Sequence, residues 1–352
     1  MVSISGGLLL RKGRPFRHAI VISVLLLLFV VACSDTQKSR SLVVYTSVDQ
    51  VYSEPVFRQF EKDTGIKVLA VYDVEASKTT GLVNRLIAEA GKPQANVFWN
   101  GEFAQTILLK EKGVLKPYQS KQAEHIPEMF RDVNGYWTGF GGRARVIIVN
   151  RDLLSKSDYP QSLDDFISSR FPADRIAIAN PVFGTTATHG AAMYSLIGAD
   201  KARSYFRQLR DRGVKVVNGN SVVRDLVAGG QLLFGLTDTD DALVAMQKGL
   251  PVDIVFPDQH SHGTLLIPNT VALINNEKNQ NEASIFIDYL LGKKAGEMMI
   301  ESGWTQVTAD GAPTGLLADQ GVAAVKFMNV SLIEVQSNMK QAKIDFIEMF
   351  IR

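Results

Sequence analysis

Cysteine is all but missing from this chain of 352 residues: Cys33 stands alone, so no disulfide can join one part of the fold to another. With no second cysteine and no Gly-x-Ser-x-Gly elbow, neither a cysteine nor a serine hydrolase is indicated. Long apolar runs are equally scarce. One runs from Ala19 to Ala32, short of the roughly 20 residues that a membrane-spanning helix needs. Neither sign of charge prevails, since 38 Lys and Arg stand against 36 Asp and Glu. A nucleic-acid partner, which wants a strongly basic domain, is therefore not indicated. No internal repeat or low-complexity stretch is present. What remains is a chain with 46% hydrophobic residues, enough for one large or two medium cores.

The amino end differs in kind from the rest. Arg11, Lys12, Arg14 and Arg17 form a basic stretch without an acid nearby, and the apolar run that follows ends in Val30-Val31-Ala32-Cys33. That order reads as a secretory signal over residues 1–32. Cys33 directly after the small residue reads as the lipidated cysteine of a bacterial lipobox, with residues 33–40 as a polar tether. Acyl chains anchor at about 0.8 kcal/mol per buried methylene, so the membrane contact expected is the lipid alone. Removing the four basic residues of the leader leaves 34 basic against 36 acidic, so the mature chain turns slightly acidic.

Beyond the tether the pattern is strand, helix, strand. Leu42–Thr46 is short, apolar and β-branched; Ser53–Thr64 repeats Val56, Phe57 and Phe60 at helical spacing; Ile66–Tyr72 is a second strand. Ser53 is placed to cap that helix and Gly65 to end it. Helices are expected over Thr80–Ala90, Phe103–Lys112, Leu163–Ser169, from Thr185, over Ser221–Ala228, Ala242–Lys248, Ala283–Leu291 and Ser331–Phe350. Strands are expected over Ala95–Trp99, Ala144–Val149, Arg175–Ala179, Val214–Val217, Leu232–Leu236 and Asp253–Phe256. A strand–helix–strand unit implies parallel pairing with both sheet faces covered. The fold class is α/β, with two lobes joined by extended crossings at Ala144–Val149 and Gly263–Pro268. Lobe 1 is expected to be discontinuous, 41–143 plus 266–352, and lobe 2 to hold 144–265.

Ligands of open α/β sheets sit beyond the carboxyl ends of strands, beside helix N-termini. The residues there are Tyr45, Thr46, Ser47 and Asp49 after the first strand, and Glu102 after the third. Thr185 and Thr186 follow the Arg175–Ala179 strand, Asn220 and Ser221 the next, and Asp238, Thr239, Asp240 and Asp241 the Leu232–Leu236 strand. Thr185, Thr186, Asn220 and Ser221 at helix starts make an anion site, though the same residues can merely cap. Asp49, Glu102, Asp238, Asp240 and Asp241 instead favour a cation or an ammonium group. At least one of the three clustered aspartates is expected only to cap its helix. Arg143 and Arg145, alternate residues of a crossing strand, share a face and can neutralise an anion. His189, one turn into its helix, is expected to pack.

Leu42–Thr46, Phe60–Val68, Asn96–Glu102, Arg143–Val146, Asn180–Thr186 and Val227–Gly230 together resemble, in order, the ferric-ion-binding solute-binding proteins of bacterial ABC importers. The resemblance implies a two-lobed type II periplasmic-binding fold whose lobes are mixed sheets flanked by helices. It implies no enzyme activity, no required cofactor, a monomer, and permease and ATPase subunits as partners. The protein would be exported and anchored at the periplasm or cell surface. By the same resemblance Glu102 and Asp240 are metal ligands for an Fe(III)-type cargo, with a synergistic anion on the Thr185 and Asn220 group. The family's paired tyrosines are replaced by Thr239-Asp240, which loses two phenolates. Relatives with such replacements look like binders of phosphonates, sugar phosphates or other organic anions. An aspartate-nucleophile phosphatase, suggested locally by Asp238-Thr239-Asp240, lacks the later acidic motif.

Overall fold

The structure is a computed structural model that describes residues 1–3, 40–73, 80–319 and 321–351. Residues 4–39, which hold the rest of the expected leader, Cys33 and the tether up to residue 39, lie outside the described residues. From Arg40 onward the chain folds as one compact unit. In the described residues no helix is long and apolar enough to cross a membrane.

Ten strands share one hydrogen-bonded path. In chain order they are β1 (Ser41–Thr46), β2 (Lys67–Tyr72), β3 (Val97–Asn100), β4 (Leu115–Lys116), β5 (Thr138–Asn150), β6 (Ile176–Ala179), β7 (Lys215–Val217), β8 (Phe234–Asp238), β9 (Val252–Val255) and β10 (Leu266–Ile274). The spatial order is β2-β1-β3-β10-β5-β8-β6-β7, with β4 on β10 and β9 on β5. The outer pairs, β1 with β2 and β3, and β6 with β7 and β8, are parallel; β10 and β5 run antiparallel to their neighbours. The helices are α1 (Gln50–Thr64), α2 (Thr80–Ala88), α3 (Ala104–Glu111), α4 (Gly184–Ile197), α5 (Ala199–Arg212), α6 (Asn220–Ala228), α7 (Thr239–Gln247), α8 (Gln280–Leu291), α9 (Lys293–Glu301), α10 (Gly315–Asp319) and α11 (Leu332–Phe350).

β5 belongs to both halves. Gly139 to Ala144 pair with β10, and Arg145 to Val149 pair with β8. Val146, Ile147, Ile148 and Val149 are fully buried, as a strand covered on both faces must be. The expected crossing strand is thus real but starts six residues earlier. The Gly139-Phe140-Gly141-Gly142 stretch, which reads as a change of character, is strand. A Cβ on Gly142 would lie 2.2 Å from the carbonyl oxygen of Ile267, so the glycine is there to let β5 and β10 approach. β10 itself, all nine residues buried, was not expected beyond the crossing at Pro268. Pro268 sits where the register shifts, the place a sheet tolerates it.

Other corrections are local. α1 begins at Gln50, and Ser53 does not cap it: its hydroxyl donates back to the carbonyls of Val48 and Asp49. Gly65 ends the helix in the left-handed conformation as expected, with φ 68°. The expected helix at Leu163–Ser169 is only a short 3-10 turn, Leu163–Phe166, and the helix α5 was not expected.

The C-terminal helix α11 packs on α4 and α5 as well as on α3, so it does not belong with 266–352 in one lobe alone. Its apolar face explains this. Phe346 stacks on Phe206 with ring centroids 4.4 Å apart, and Asp345 accepts from the Tyr194 hydroxyl at 2.7 Å. Gly190 is what lets the helices close, because a Cβ there would meet the Phe346 ring at 2.4 Å. Gly190→Ala should therefore destabilise by about 1–3 kcal/mol through overpacking. Thermal unfolding of the single variant and of Gly190→Ala with Phe346→Leu checks this, since the smaller ring partner should recover part of the loss.

Candidate functional site

Three strand ends converge on one guanidinium carried by the middle of a fourth strand. β5 presents Arg145 directly opposite Asp238, the last residue of β8. α4 starts after β6 and brings Thr185 and Thr186; α6 starts after β7 and brings Asn220. Arg145 is fully buried. Its Nη1 donates to Asp238 Oδ1 at 2.5 Å, Thr185 Oγ1 at 2.9 Å and Asn220 Oδ1 at 3.2 Å, and its Nη2 to Thr186 Oγ1 at 3.1 Å. The other oxygen of Asp238 accepts from the Thr185 hydroxyl at 2.7 Å and the Asn220 amide at 3.0 Å. A buried ion pair is tolerable when most of its remaining hydrogen bonds are met; here both terminal nitrogens of Arg145 are bonded, while its buried Nε has no partner among the described residues. Of the residues expected to form an anion corner, Thr185 and Asn220 donate to the chain's own Asp238, and Thr186 accepts from Arg145. Ser221, the next residue, is exposed.

Beside this corner lies a second, incompletely satisfied group. Arg143 is mostly enclosed, with 20% of its side chain exposed, and its Nε is 3.6 Å from Asp238 Oδ2, too far for a hydrogen bond. Among the described residues that Nε has no hydrogen-bond partner, nor does the buried Oδ1 of Asp240. Arg143 feels the charges of Asp240, Asp238, Glu102 and Asp241, which hold its proton more firmly against the effect of burial. Burial in turn pushes the Asp240 and Glu102 carboxyls up, and the Arg143 charge opposes both shifts. Glu102 caps α3, accepting from the backbone N–H of Ala104 at 2.7 Å and Gln105 at 2.9 Å. Asp240 faces a cavity of about 120 Å³ lined also by Tyr52, Leu243, Gln306 and Thr314.

One carboxylate oxygen from each of Asp238, Asp240 and Asp241 lies within 4.8 Å of the others. Two of the three are already paired: Asp238 with Arg145, and Asp241 with Arg224 Nη1 at 3.2 Å. Asp240 and Asp241 occupy the first turn of α7, yet it is Asp240 that keeps an unpaired buried oxygen. Thr239 proves to be a clasp between elements. Its hydroxyl accepts from the Ala144 N–H at 3.1 Å and donates to Gln306 Oε1 at 3.3 Å, so its proton is committed within the fold.

The residues after β1 are largely satisfied among themselves. Thr46 Oγ1 accepts from the Val48 N–H at 3.0 Å, and Ser47 bonds to Asn100 and to the Gly101 N–H. Tyr45 is set apart from the Arg143 and Arg145 groups: its hydroxyl donates to Glu89 at 3.0 Å, Arg85 covers its ring, and burial pushes it up to about 12. Asp49 directly precedes α1 and is partly buried. His189 is buried as expected, and burial beside the Arg145 charge holds it down at about 3, so it stays neutral.

Tyr52 and Gln306 were missed. Tyr52 follows β1 by six residues, and the strand-end rule reaches it; its ring stacks on Trp304 at 4.9 Å, which resembles core packing. Gln306 follows α9 in a stretch with no strand-end signal.

Replacing Arg145 with methionine strands the buried Asp238 carboxylate, and denaturant unfolding should show a loss of about 3–5 kcal/mol. Asp241 generates a pH dependence. Burial, with the charges of Asp240 and Asp238, pushes its carboxyl up to about 7. The folded protein then keeps a proton that the unfolded chain releases, so stability from this group falls as pH rises from about 4 to about 7. Asp241→Asn should shrink the stability difference between about pH 5 and about pH 8. An unchanged difference, measured by chemical denaturation, would show that Asp241 titrates normally.

The site can now be set beside known proteins. The family model described as bacterial extracellular solute-binding protein matches residues 93–321. The major ferric iron-binding protein of Neisseria meningitidis is 22% identical over 275 residues, covering 74% of this chain and 78% of that protein. The ferric binding protein from Campylobacter jejuni superposes with a TM-score of 0.75 at 20% identity, over 88% of this chain and 99% of that one. A periplasmic binding protein from Actinobacillus pleuropneumoniae, solved with exogenous fructose-6-phosphate bound, superposes with a TM-score of 0.68 at 23% identity, over 89% and 99%. These likenesses identify the mixed sheet and its helices as the two-lobed type II periplasmic-binding fold. Within the Asp238-Thr239-Asp240 stretch, Asp238 is held in an ion pair and Thr239 in a clasp between elements. The chain belongs to the bacterial extracellular solute-binding proteins, and it holds a solute without transforming it.

Proposed function

We propose that this protein is the exported, Cys33-anchored capture subunit of an ABC importer, and that its cargo is a small organic anion bearing hydroxyl or ammonium groups. The observation that carries the cargo reading is that Arg143 Nε and Asp240 Oδ1, in one charged cluster with the similarly unpartnered Arg145 Nε, are buried without hydrogen-bond partners among the described residues. Buried polar atoms in native proteins are nearly always bonded, so a donor and an acceptor left open together mark where a ligand supplies both. Arg143 suits a phosphate, phosphonate or carboxylate, and Asp240 suits a hydroxyl or an ammonium. The solved relative with fructose-6-phosphate bound supports the same class. A cavity of about 120 Å³ is smaller than the roughly 300 Å³ of common ligand pockets, so a cargo of that size enters as the two halves of the sheet part.

A second reading has its own observation. The three aspartate oxygens within 4.8 Å of one another make a hard-oxygen cluster, and several relatives are named for ferric iron. Glu102 and Asp240 would then hold Fe(III), with an anion on Arg143. The arginines favour the first reading. Asp238 and Asp241 already carry guanidinium partners, so few unpaired carboxylates remain to balance a trivalent ion.

Native mass spectrometry and metal analysis of the purified protein, followed by calorimetric titration with hexose phosphates, aminophosphonates and ferric citrate, test the assignment. The expected result is metal-independent binding of one organic anion. Arg143→Gln and Asp240→Asn should each weaken it about ten- to hundredfold, as the loss of a charge-assisted bond of about 1.5–3 kcal/mol requires. Stoichiometric iron with no response to organic anions would establish the second reading instead.

A further inference from the structure

We propose that Asp238 is a built-in anion, a side chain that permanently fills the oxyanion position at the start of α4 and α6 and so determines which part of a ligand the site accepts. Its carboxylate receives what a bound phosphate or sulfate would receive there: the Arg145 guanidinium at 2.5 Å, the Thr185 hydroxyl at 2.7 Å and the Asn220 amide at 3.0 Å. A second guanidinium, that of Arg143, stands 3.6 Å away. The corner is sealed, with Arg145 wholly buried, Asp238 3% exposed and Thr185 8% exposed.

Two observations separate this from an ordinary structural ion pair. Polar residues at helix starts usually cap their own helices. Here the N-cap residues are Phe183 and Gly219, which carry no capping group, and the polar Thr185 and Asn220 in the first turns are aimed across the corner at Asp238. The corner is also built from four elements, with donors from β5, α4 and α6 and the acceptor from β8, and the strands β5, β8, β6 and β7 that carry or precede them are consecutive in the sheet. Opening of the halves therefore leaves the corner intact, and the internal anion stays in place through a binding cycle. A free anion finds its donors taken, and the ligand's negative group is directed to Arg143. The protein consequently needs no accessory anion at this corner to hold its cargo.

The inference rests on the corner lying in the ligand site, but its test uses inorganic phosphate alone. A failure of the cargo assignment would appear as absent hexose phosphate binding by the wild type, with no bearing on the phosphate response. Calorimetric titration of the wild-type protein, Asp238→Ser, and Asp238→Ser with Thr185→Val is the experiment. Asp238→Ser should bind phosphate at least tenfold tighter than the wild type, and the added Thr185→Val should remove that gain. A variant recovered only in phosphate or sulfate buffer would support the proposal in the same sense, since the ion then stands where the carboxylate stood. Should the variant not fold in any buffer, the wild type decides: the NMR signals of Thr185, Asn220 and the Arg145 side chain should stay unmoved through a phosphate titration. Movement of those signals, or an Asp238→Ser protein that binds phosphate no better than the wild type, would overturn the proposal.

Discussion

A guanidinium with no access to water governs this structure. Arg145 sits on the strand common to both halves of the sheet, and a charge in that position is tolerable only if its surroundings are polar and fixed. That requirement explains why β8 ends in an aspartate, why α4 opens with two threonines, and why α6 opens with an asparagine. Each is a residue that a helix cap or a turn could have used locally. Instead all four are held to one point by hydrogen bonds spanning up to 93 residues of sequence. The binding chemistry nearby inherits its geometry from this anchor, because Arg143 and Asp240 are each two residues from Arg145 and Asp238, respectively.

Much of the architecture was legible in the sequence. The β1, α1, β2 opening shows through the alternation of apolar residues and the stop at Gly65, because local chain chemistry suffices there. Two central pieces were hidden by residues whose usual meaning is the opposite. Gly139, Gly141 and Gly142 suggest a turn but serve close strand contact, and Pro268 suggests the end of a strand but lies at a bulge inside one. Neither purpose exists until the partner strand is present, so no local signal could have announced it.

The candidate site shows the same division. Strand-end reasoning brought Arg143, Arg145, Thr185, Asn220, Asp238 and Asp240 onto one list, and the structure does gather them. What the sequence could not convey was pairing. Thr185 reads as a donor for a ligand, whereas its hydroxyl is spent on Asp238; Thr239 reads as a ligand residue, whereas it ties Ala144 to Gln306. Tyr45 was drawn in by its place on a strand, but its position in the side-chain alternation points it toward Glu89. Residue type and spacing predict which groups meet at a strand edge, and only the three-dimensional partners tell which of them are still free.

The shared strand has a mechanical consequence. Where two lobes are linked by loops, one may swing on the other at almost no energetic expense. Here the lobes hold successive stretches of a single ladder, so relative rotation must appear as twist within β5. Its glycine-bearing stretch, from Gly139 to Gly142, has Phe140 as its one side chain to resist that twist, while Val146 to Val149 are clamped on both faces. Compliance is thus graded along thirteen residues, and the soft end is the one that leads into Arg143.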